Sequence, residues 1–190
     1  MTTTATRIDL LPGQAALLAD GKSKVLAAIA GTGGGKTILI YWWLHSRMEA
    51  YPGNTWGLAE PTYPMLSKIL LTSSDPGRPS LEDYLRQAGH HPDYHAVDRI
   101  LFTDWGKIYL GSADNPDSMQ GAAVRGYALD EPGLMTLLAY ETALQRCSML
   151  QGQVLLASTP YNLGWLKTEV ADKAGRDGIH VERWRSIDRP

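Results

Sequence analysis

Short apolar runs alternate with helix-like stretches along this chain of 190 residues. Three apolar runs predict buried strands, at Val25 to Ala30, Val124 to Leu129 and Val154 to Ser158, because strands of a parallel sheet are buried on both faces. Helical patterns follow two of these strand regions, at Lys36 to Met48 and Tyr140 to Met149. Strands that alternate with helices predict an α/β fold, with a mainly parallel sheet and helices on both faces.

Weaker patterns complete the predicted fold. In chain order they indicate a strand at Thr55 to Ala59, a helix at Tyr63 to Leu71, a short helix around Leu81 to Ala88 within the polar stretch Ser73 to Asp98, a hairpin formed by Arg99 to Phe102 and Lys107 to Leu110, a long loop from Gly111 to Gly121, a helix at Leu163 to Ala174 and a final strand at Ile179 to Ile187. At this length the chain is expected to hold one domain, or one domain with a small appendage.

Composition excludes several classes of protein. The chain is 44% hydrophobic, which is enough for a sizeable core, and its net charge of −2 excludes a generically basic nucleic-acid coat, though not a local basic face. The single cysteine excludes a disulfide within the chain and a four-cysteine zinc site. No apolar run approaches the roughly 20 residues of a membrane span, and the first residues lack the features of a signal peptide. We expect a soluble cytoplasmic protein without a membrane partner.

A glycine-rich turn between the first strand and the first helix gives the strongest chemical signal. It reads Ala30-Gly31-Thr32-Gly33-Gly34-Gly35-Lys36-Thr37, which is close to the phosphate-binding P-loop, with Ala30 where the usual pattern has glycine. Successive glycines let backbone N–H groups surround phosphate oxygens, and the helix start adds partial positive charge. Lys36 would reach the β- and γ-phosphates of ATP, and Thr37 would ligate Mg²⁺. The competing interpretation is an ordinary glycine-rich turn from strand to helix.

A pair of acids ends a later apolar strand, as nucleotide hydrolysis would require. In Tyr127-Ala128-Leu129-Asp130-Glu131, Asp130 would hold Mg²⁺ through water and Glu131 would polarise the attacking water. Pro132 predicts an extended backbone for Glu131. The competing interpretation, a solvated pair of turn acids, would prevail if the glycine-rich turn were missing.

The strand that follows ends in two hydroxyl groups, Ser158 and Thr159. These side chains could sense the γ-phosphate and couple its loss to the next element. Simple capping of a strand end is the alternative.

In their order along the chain, these motifs resemble the ATPase domain of the large terminase subunit, the DNA-packaging motor of tailed bacteriophages. The resemblance extends to Leu11-Pro12-Gly13-Gln14, Glu60-Pro61-Thr62-Tyr63, the run from Gly111 to Gly121 that leads to Asp130, and Ser158-Thr159-Pro160. It implies a RecA-like P-loop fold and makes Gln14 the reader of adenine. It further implies an ATPase core at residues 1–160 and a lid-like or linker segment at residues 161–190, leading towards a nuclease domain that this chain lacks, so that nuclease activity is not expected.

Two positions depart from the family's pattern. Thr32 stands within the phosphate turn where such proteins often carry arginine, and Gln120 stands before Gly121 where they often carry another. A charge-neutralising arginine must therefore come from elsewhere in the chain or from a neighbouring subunit. The candidates, in order of preference, are Arg125, Arg146 and Arg99.

The resemblance implies Mg²⁺-dependent ATP hydrolysis that drives double-stranded viral DNA into a procapsid in the host cytoplasm. The implied partners are the portal protein, the small terminase subunit and further copies of this chain, which would form a ring when assembled and be monomeric or weakly associated otherwise. One alternative is a helicase-like or other nucleic-acid remodelling ATPase, although no second motor domain and no helicase-type arginine motif follows Thr159. Another is a slow nucleotide-dependent switch, against which the poised base Glu131 argues.

Overall fold

The central feature of the fold is one eight-stranded sheet with the strand order β3-β4-β5-β2-β6-β7-β1-β8. The structure is a computed structural model, and it describes residues 9–71, 79–161 and 164–186. The strands are β1 Val25–Ala30, β2 Asn54–Glu60, β3 Asp93–His95, β4 Ile100–Thr103, β5 Gly106–Ser112, β6 Gly126–Asp130, β7 Gln153–Ser158 and β8 Ile179–Trp184.

Six neighbouring strands, in the spatial order β5-β2-β6-β7-β1-β8, pair in parallel. At one side of the sheet, β4 pairs with β5 and β3 pairs with β4 in antiparallel orientation. The mainly parallel sheet and the hairpin at β4 and β5 are thereby confirmed. β7 lies between β1 and β6, pairing Ala28 with Ala157 on one side and Asp130 with Ala157 on the other. This arrangement brings the ends of all three strands to one edge of the sheet.

The helices cover both faces of the sheet, as predicted. They are α1 Pro12–Ala19, α2 Lys36–Ala50, α3 Tyr63–Leu70, α4 Leu81–Gln87, α5 Leu137–Ser148 and α6 Gly164–Glu169, with short 3₁₀ helices at Pro116–Met119, Pro132–Leu134 and Ala171–Lys173. None of the helices in the described ranges has the length and apolar character needed to cross a membrane.

Alternate residues of each central strand face opposite sides, so the sheet separates two apolar clusters. In β1, Leu26 and Ala28 belong to the cluster under α1 to α4, whereas Val25 and Ala27 belong to the cluster under α5 and α6. All four are almost fully buried. Burial on both faces explains why these strands read as continuous apolar runs in the sequence.

Several elements differ from the sequence-based predictions. The helix α1 and the short strand β3 were not predicted. In place of the predicted helix from Leu163 to Ala174, the structure has the shorter helix α6 followed by a 3₁₀ helix. Leu163 itself lies outside the described residues. The predicted final strand ends at Trp184, and Ile187 again lies outside the described residues. The segment predicted as a lid contributes β8 to the main sheet, where β8 pairs with β1 along six residues. Burial of Ile179 against the apolar cluster under α5 and α6 accounts for this placement.

A histidine links β8 to the loop before β1. His180 contacts Asp20 through Nδ1 at 2.7 Å and Glu182 through Nε2 at 3.0 Å. Burial by itself would lower the pKa of His180, but the hydrogen bonds with Glu182 and Asp20 outweigh it and raise that pKa. The protonated imidazole therefore helps to hold this edge strand in place.

Candidate nucleotide-binding site

The candidate site lies at the carboxyl edge of the sheet, where the turns after β1, β6 and β7 meet. Ligand sites of open α/β sheets form at this edge. The turn after β1 contains residues 31–35, β6 ends at Asp130, and β7 ends at Ser158. The structure thus brings the three sequence motifs together in one place.

The conformation of the turn explains its glycines. Gly33 and Gly35 have φ values of 75° and 76°, in the left-handed region that glycine adopts without a steric penalty. A Cβ atom on Gly34 would lie 2.9 Å from the Gly31 oxygen, which is too close for any side chain. The helix α2 begins directly after the turn, at Lys36. The turn and the helix start together have the form of an anion-binding site.

Lys36 is buried beneath the turn, with only 6% of its surface exposed. Its Nζ donates to the carbonyl oxygens of Ala30 and Gly31 at 3.1 and 3.2 Å, and lies 3.7 Å from Glu131 Oε1. A buried ammonium group needs such partners because desolvation is costly. Lys36 is also the one basic residue of the segment 30–37, and its role in binding phosphate stays a prediction.

Thr37, in the first turn of α2, and Asp130, at the end of β6, lie in contact at the carboxyl edge of the sheet, as expected for residues that share a metal ion. The Thr37 hydroxyl donates to Asp130 Oδ2 at 2.8 Å, and Asp130 is only 3% exposed. A hydroxyl and a carboxylate are the hard oxygen ligands that Mg²⁺ prefers, so these residues fit the cation. When bound with ATP, Mg²⁺ would neutralise charge on the β- and γ-phosphates.

Glu60 is a site residue to which sequence reasoning gave no role. It ends β2, next to β6, and is buried to 2% exposure with its carboxyl group hydrogen-bonded to Asp130. Burial, and then the charge of Asp130, raise the pKa of Glu60. Burial also raises the pKa of Asp130, against the hydrogen bond from Thr37. The available signal was an acid at the end of an apolar strand, the same signal that identified Asp130.

Glu131 has a left-handed backbone, with φ 50° and ψ 49°, so the predicted extended conformation is wrong. Its N–H donates to the Ala157 oxygen at 2.7 Å and to Asp130 Oδ1 at 3.1 Å, and these bonds fix a conformation that Pro132 alone would not favour. A left-handed conformation of a non-glycine residue costs free energy and is often found at functional sites.

The carboxylate of Glu131 is held by the end of β7. Thr159 donates to it twice, from its N–H to Oε2 at 3.0 Å and from its hydroxyl to Oε1 at 2.7 Å. Ser158 is 1% exposed, and its hydroxyl accepts from the Gly133 N–H at 3.3 Å. Both hydroxyl residues therefore hold the segment that carries Glu131. Their role in sensing the γ-phosphate stays a prediction.

Gln14, predicted to read adenine, lies beneath the turn. Its side chain is 4% exposed, accepts from the Leu11 N–H at 3.0 Å and donates to the Gly35 oxygen at 3.2 Å. Thr32 lies at the exposed tip of the turn, with its hydroxyl 3.3 Å from the Tyr161 hydroxyl. The structure therefore gives Gln14 a supporting position, and the reading of adenine stays a prediction.

The preferred arginine, Arg125, lies at the wrong edge of the sheet to act within the same chain. It precedes β6, five residues and therefore about 16 Å from Asp130 along the strand. Its guanidinium group lies 4.2 Å from the ring centre of Tyr51 and donates to the Leu150 oxygen at 3.2 Å. Strand direction, which separates the two ends of β6, is the physical reason for this correction.

The other two arginines occupy opposite edges. Arg146 donates to the Gly121 oxygen at 2.7 Å, near the amino end of β6. Arg99 precedes β4, which is antiparallel to β5, and therefore lies at the carboxyl edge. Its guanidinium group lies 4.0 Å from the ring centre of Tyr63 and donates to the Tyr63 hydroxyl. The third candidate is thus the one on the same edge as the site, about three strand spacings, or 14 Å, from β6.

Fold and site define a RecA-like P-loop α/β architecture. No protein-family model and no curated protein sequence matches the chain. Solved structures do match it, and those named below have TM-scores of 0.59 to 0.77.

The three similar structures named here are two large terminases and one DNA-packaging ATPase, all from bacteriophages. The large terminase of a thermophilic bacteriophage has a TM-score of 0.77 and 21% identity over 93% of this chain and 46% of its own, and it is also known in complex with ADP. The large terminase ATPase domain of Thermus phage P74-26 has a TM-score of 0.72 and 20% identity over 93% and 80% of the two chains. The N-terminal domain of the bacteriophage phi29 packaging ATPase has a TM-score of 0.59 and 15% identity over 88% and 93%.

The chain spans about half the length of the first of these terminases. At these identities the likeness establishes a shared fold, the one that the ordered motifs of the sequence predicted.

Proposed function

We propose that this protein is a Mg²⁺-dependent ATPase that powers the packaging of double-stranded DNA into a viral procapsid. The observation that carries the proposal is the convergence of Lys36, Thr37, Asp130 and Glu131 around one glycine-rich turn. The terminase fold supports it, since the similar large terminase of a thermophilic bacteriophage has been solved with ADP and with ATP-γ-S.

In this proposal each residue has a distinct task. Backbone N–H groups of the turn, that of Gly35 among them, bind the phosphates, and Lys36 turns its ammonium group from the Ala30 and Gly31 carbonyls to the phosphate oxygens. Thr37 and Asp130 hold Mg²⁺. Glu131, fixed by Thr159, polarises the attacking water, which is the task of a general base.

The ATPase proposal is tested by phosphate release and by ADP binding in Lys36→Ala. We expect loss of turnover together with weaker ADP binding, because Lys36 contacts phosphate in the ground state as well as in the transition state. Lys22→Ala is the control, since Lys22 is exposed in the loop at the opposite edge of the sheet. Turnover by Lys36→Ala close to that of the wild type would overturn the assignment of the turn.

The packaging proposal needs its own experiment, because a switch or a helicase could share this chemistry. We expect the protein, or the longer chain of which it forms a part, to protect double-stranded DNA from nuclease when supplied with procapsids, portal protein, small terminase subunit and ATP. Glu131→Gln should give no protection. Strand separation without DNA protection would favour a helicase, and ATP binding without turnover would favour a switch.

A further inference from the structure

Two hydrogen-bond donors reach the phosphate-binding turn from the end of β8 and the residues just after it. The Trp184 indole N–H donates to the Gly34 oxygen at 2.7 Å, and the Ser186 hydroxyl donates to the Thr32 oxygen. Trp184 ends β8 and pairs with Ala30, the last residue before the turn. Each bond holds a carbonyl of the turn from outside the turn itself.

The geometry of the peptide bond gives these contacts a consequence for phosphate binding. A trans peptide unit is planar, so its C=O and the N–H of the next residue point in opposite directions. A donor that holds the Gly34 carbonyl outward therefore aims the Gly35 N–H into the concave side of the turn. Because glycine can adopt many φ and ψ values, contacts from outside the turn must select this orientation of the Gly34–Gly35 peptide.

Helix α1 fixes the position of the indole ring. A Cβ atom on Gly13 would lie 2.9 Å from Trp184 Cε3 and 3.3 Å from Cζ3. The ring is thus packed between the first turn of α1 and the phosphate-binding turn, and Gly13 leaves the space that it needs. This packing restricts the indole to the position from which its N–H meets Gly34.

We propose that Trp184 is a positioning residue for the phosphate-binding turn, holding the Gly34–Gly35 peptide so that the Gly35 N–H faces a bound phosphate. The inference rests on the proposed function, because it concerns the affinity of the same site for nucleotide. It gives β8 a part in nucleotide binding, although Trp184 lies 150 positions from Gly34.

The test compares two tryptophan-to-phenylalanine variants that each lose one indole hydrogen bond to a carbonyl. Trp184→Phe removes the bond to Gly34, whereas Trp165→Phe removes a bond of 2.8 Å to the Met135 oxygen, away from the turn. Calorimetric titration with ADP gives Kd, steady-state phosphate release gives KM and kcat for ATP, and thermal unfolding gives Tm.

We expect Trp184→Phe to raise the Kd for ADP and the KM for ATP together, by roughly three- to tenfold, which corresponds to one hydrogen bond. The kcat should change less than about twofold, because the turn binds phosphate equally in the ground state and the transition state. Trp165→Phe should lower Tm about as much as Trp184→Phe does, but it should leave Kd and KM unchanged.

A second variant separates positioning from folding. Gly13→Ala leaves the indole in the sequence but displaces its ring from the position in which its N–H meets the Gly34 oxygen, and it replaces glycine by a better helix former within α1. We expect Kd to rise as in Trp184→Phe while Tm does not fall in parallel. This variant decides the question if Trp184→Phe does not fold.

The outcomes distinguish this inference from the proposed function. If the wild type binds no ADP, the proposed function fails and the inference fails with it. If the wild type binds ADP but Trp184→Phe and Gly13→Ala bind it equally well, or if Trp165→Phe weakens binding as much as Trp184→Phe, the inference is overturned while the ATPase proposal stands.

Discussion

At the scale of single residues, hydrogen bonds from Thr159 fix the position of the Glu131 carboxylate, the proposed general base. Thr159→Val removes the hydroxyl that donates to Glu131 Oε1 while keeping the shape of the side chain. We expect kcat to fall roughly ten- to a hundredfold with little change in the Kd for ADP, because only the placement of the base is lost. Thr159→Ser, which keeps the hydroxyl, is the control. Equal rates in the two variants would mean that the hydroxyl has no such role.

Glu60 gives a second prediction at this scale, for stability as a function of pH. Its pKa is raised from the ordinary 4.5, so above that pH the folded state binds more protons than the unfolded state and stability falls as pH rises. Glu60→Gln mimics the neutral carboxyl group and should lose less stability than the wild type between neutral and alkaline pH. Thermal unfolding across this range measures the difference, and parallel curves for the two proteins would contradict the prediction.

Sequence patterns identified which residues meet at the candidate site, but not their conformations. Lys36, Thr37, Asp130 and Glu131 were identified by type and position because glycine-rich turns and acids at strand ends are local signals. The left-handed backbone of Glu131 was not predicted, since it depends on a hydrogen bond from its N–H to the Ala157 oxygen, on a strand distant in the sequence.

At the scale of elements, β8 is the part of the fold that local patterns described least well. Its apolar residues predicted a strand, but its place beside β1 depends on tertiary contacts. The hairpin of β4 and β5 was predicted correctly because its turn and both strands are close in the sequence. Arg125 was assigned to the site because it is close to Asp130 in sequence, whereas the strand between them places it at the other edge of the sheet.

The attachment of β8 through His180 gives a prediction at this scale. Because its pKa is raised in the folded state, the stability that protonated His180 provides is fully present below its ordinary pKa of 6.5 and is lost as pH rises through the raised value. The difference in Tm between the wild type and His180→Ala should therefore shrink as pH rises from mildly acidic to alkaline. His91→Ala is the control, with 88% of that side chain exposed. A difference that stays constant with pH would contradict the prediction.

At the scale of the whole molecule, the positions of the three candidate arginines lead us to expect that a neighbouring subunit supplies the catalytic arginine. Arg125 and Arg146 lie at the amino end of β6, and Arg99 lies over Tyr63. A catalytic arginine raises the rate of phosphoryl transfer by about 10³–10⁵, so an isolated chain that depends on a neighbouring subunit's arginine should turn over slowly. We expect specific activity to rise with protein concentration or on assembly with the portal.

Mixed subunits test the same point. If the arginine acts between subunits, an inactive arginine variant mixed with inactive Glu131→Gln should regain activity, since some interfaces then pair an intact arginine with an intact base. Arg99→Ala and Arg125→Ala are tested separately in this mixture. A rate independent of concentration, together with no recovery in either mixture, would place the arginine within the same chain.

The central claim, that this site hydrolyses ATP with Glu131 as its base, is tested most directly by measuring ATP binding and single-turnover phosphate release in Glu131→Gln. We expect binding within a few-fold of the wild type and phosphate release slower by about 10²–10⁴, because the amide keeps the shape of the carboxylate but does not polarise water. Glu141→Gln, on the exposed surface of α5, should match the wild type in both measurements. Phosphate release by Glu131→Gln at the rate of Glu141→Gln would show that Glu131 is not the base.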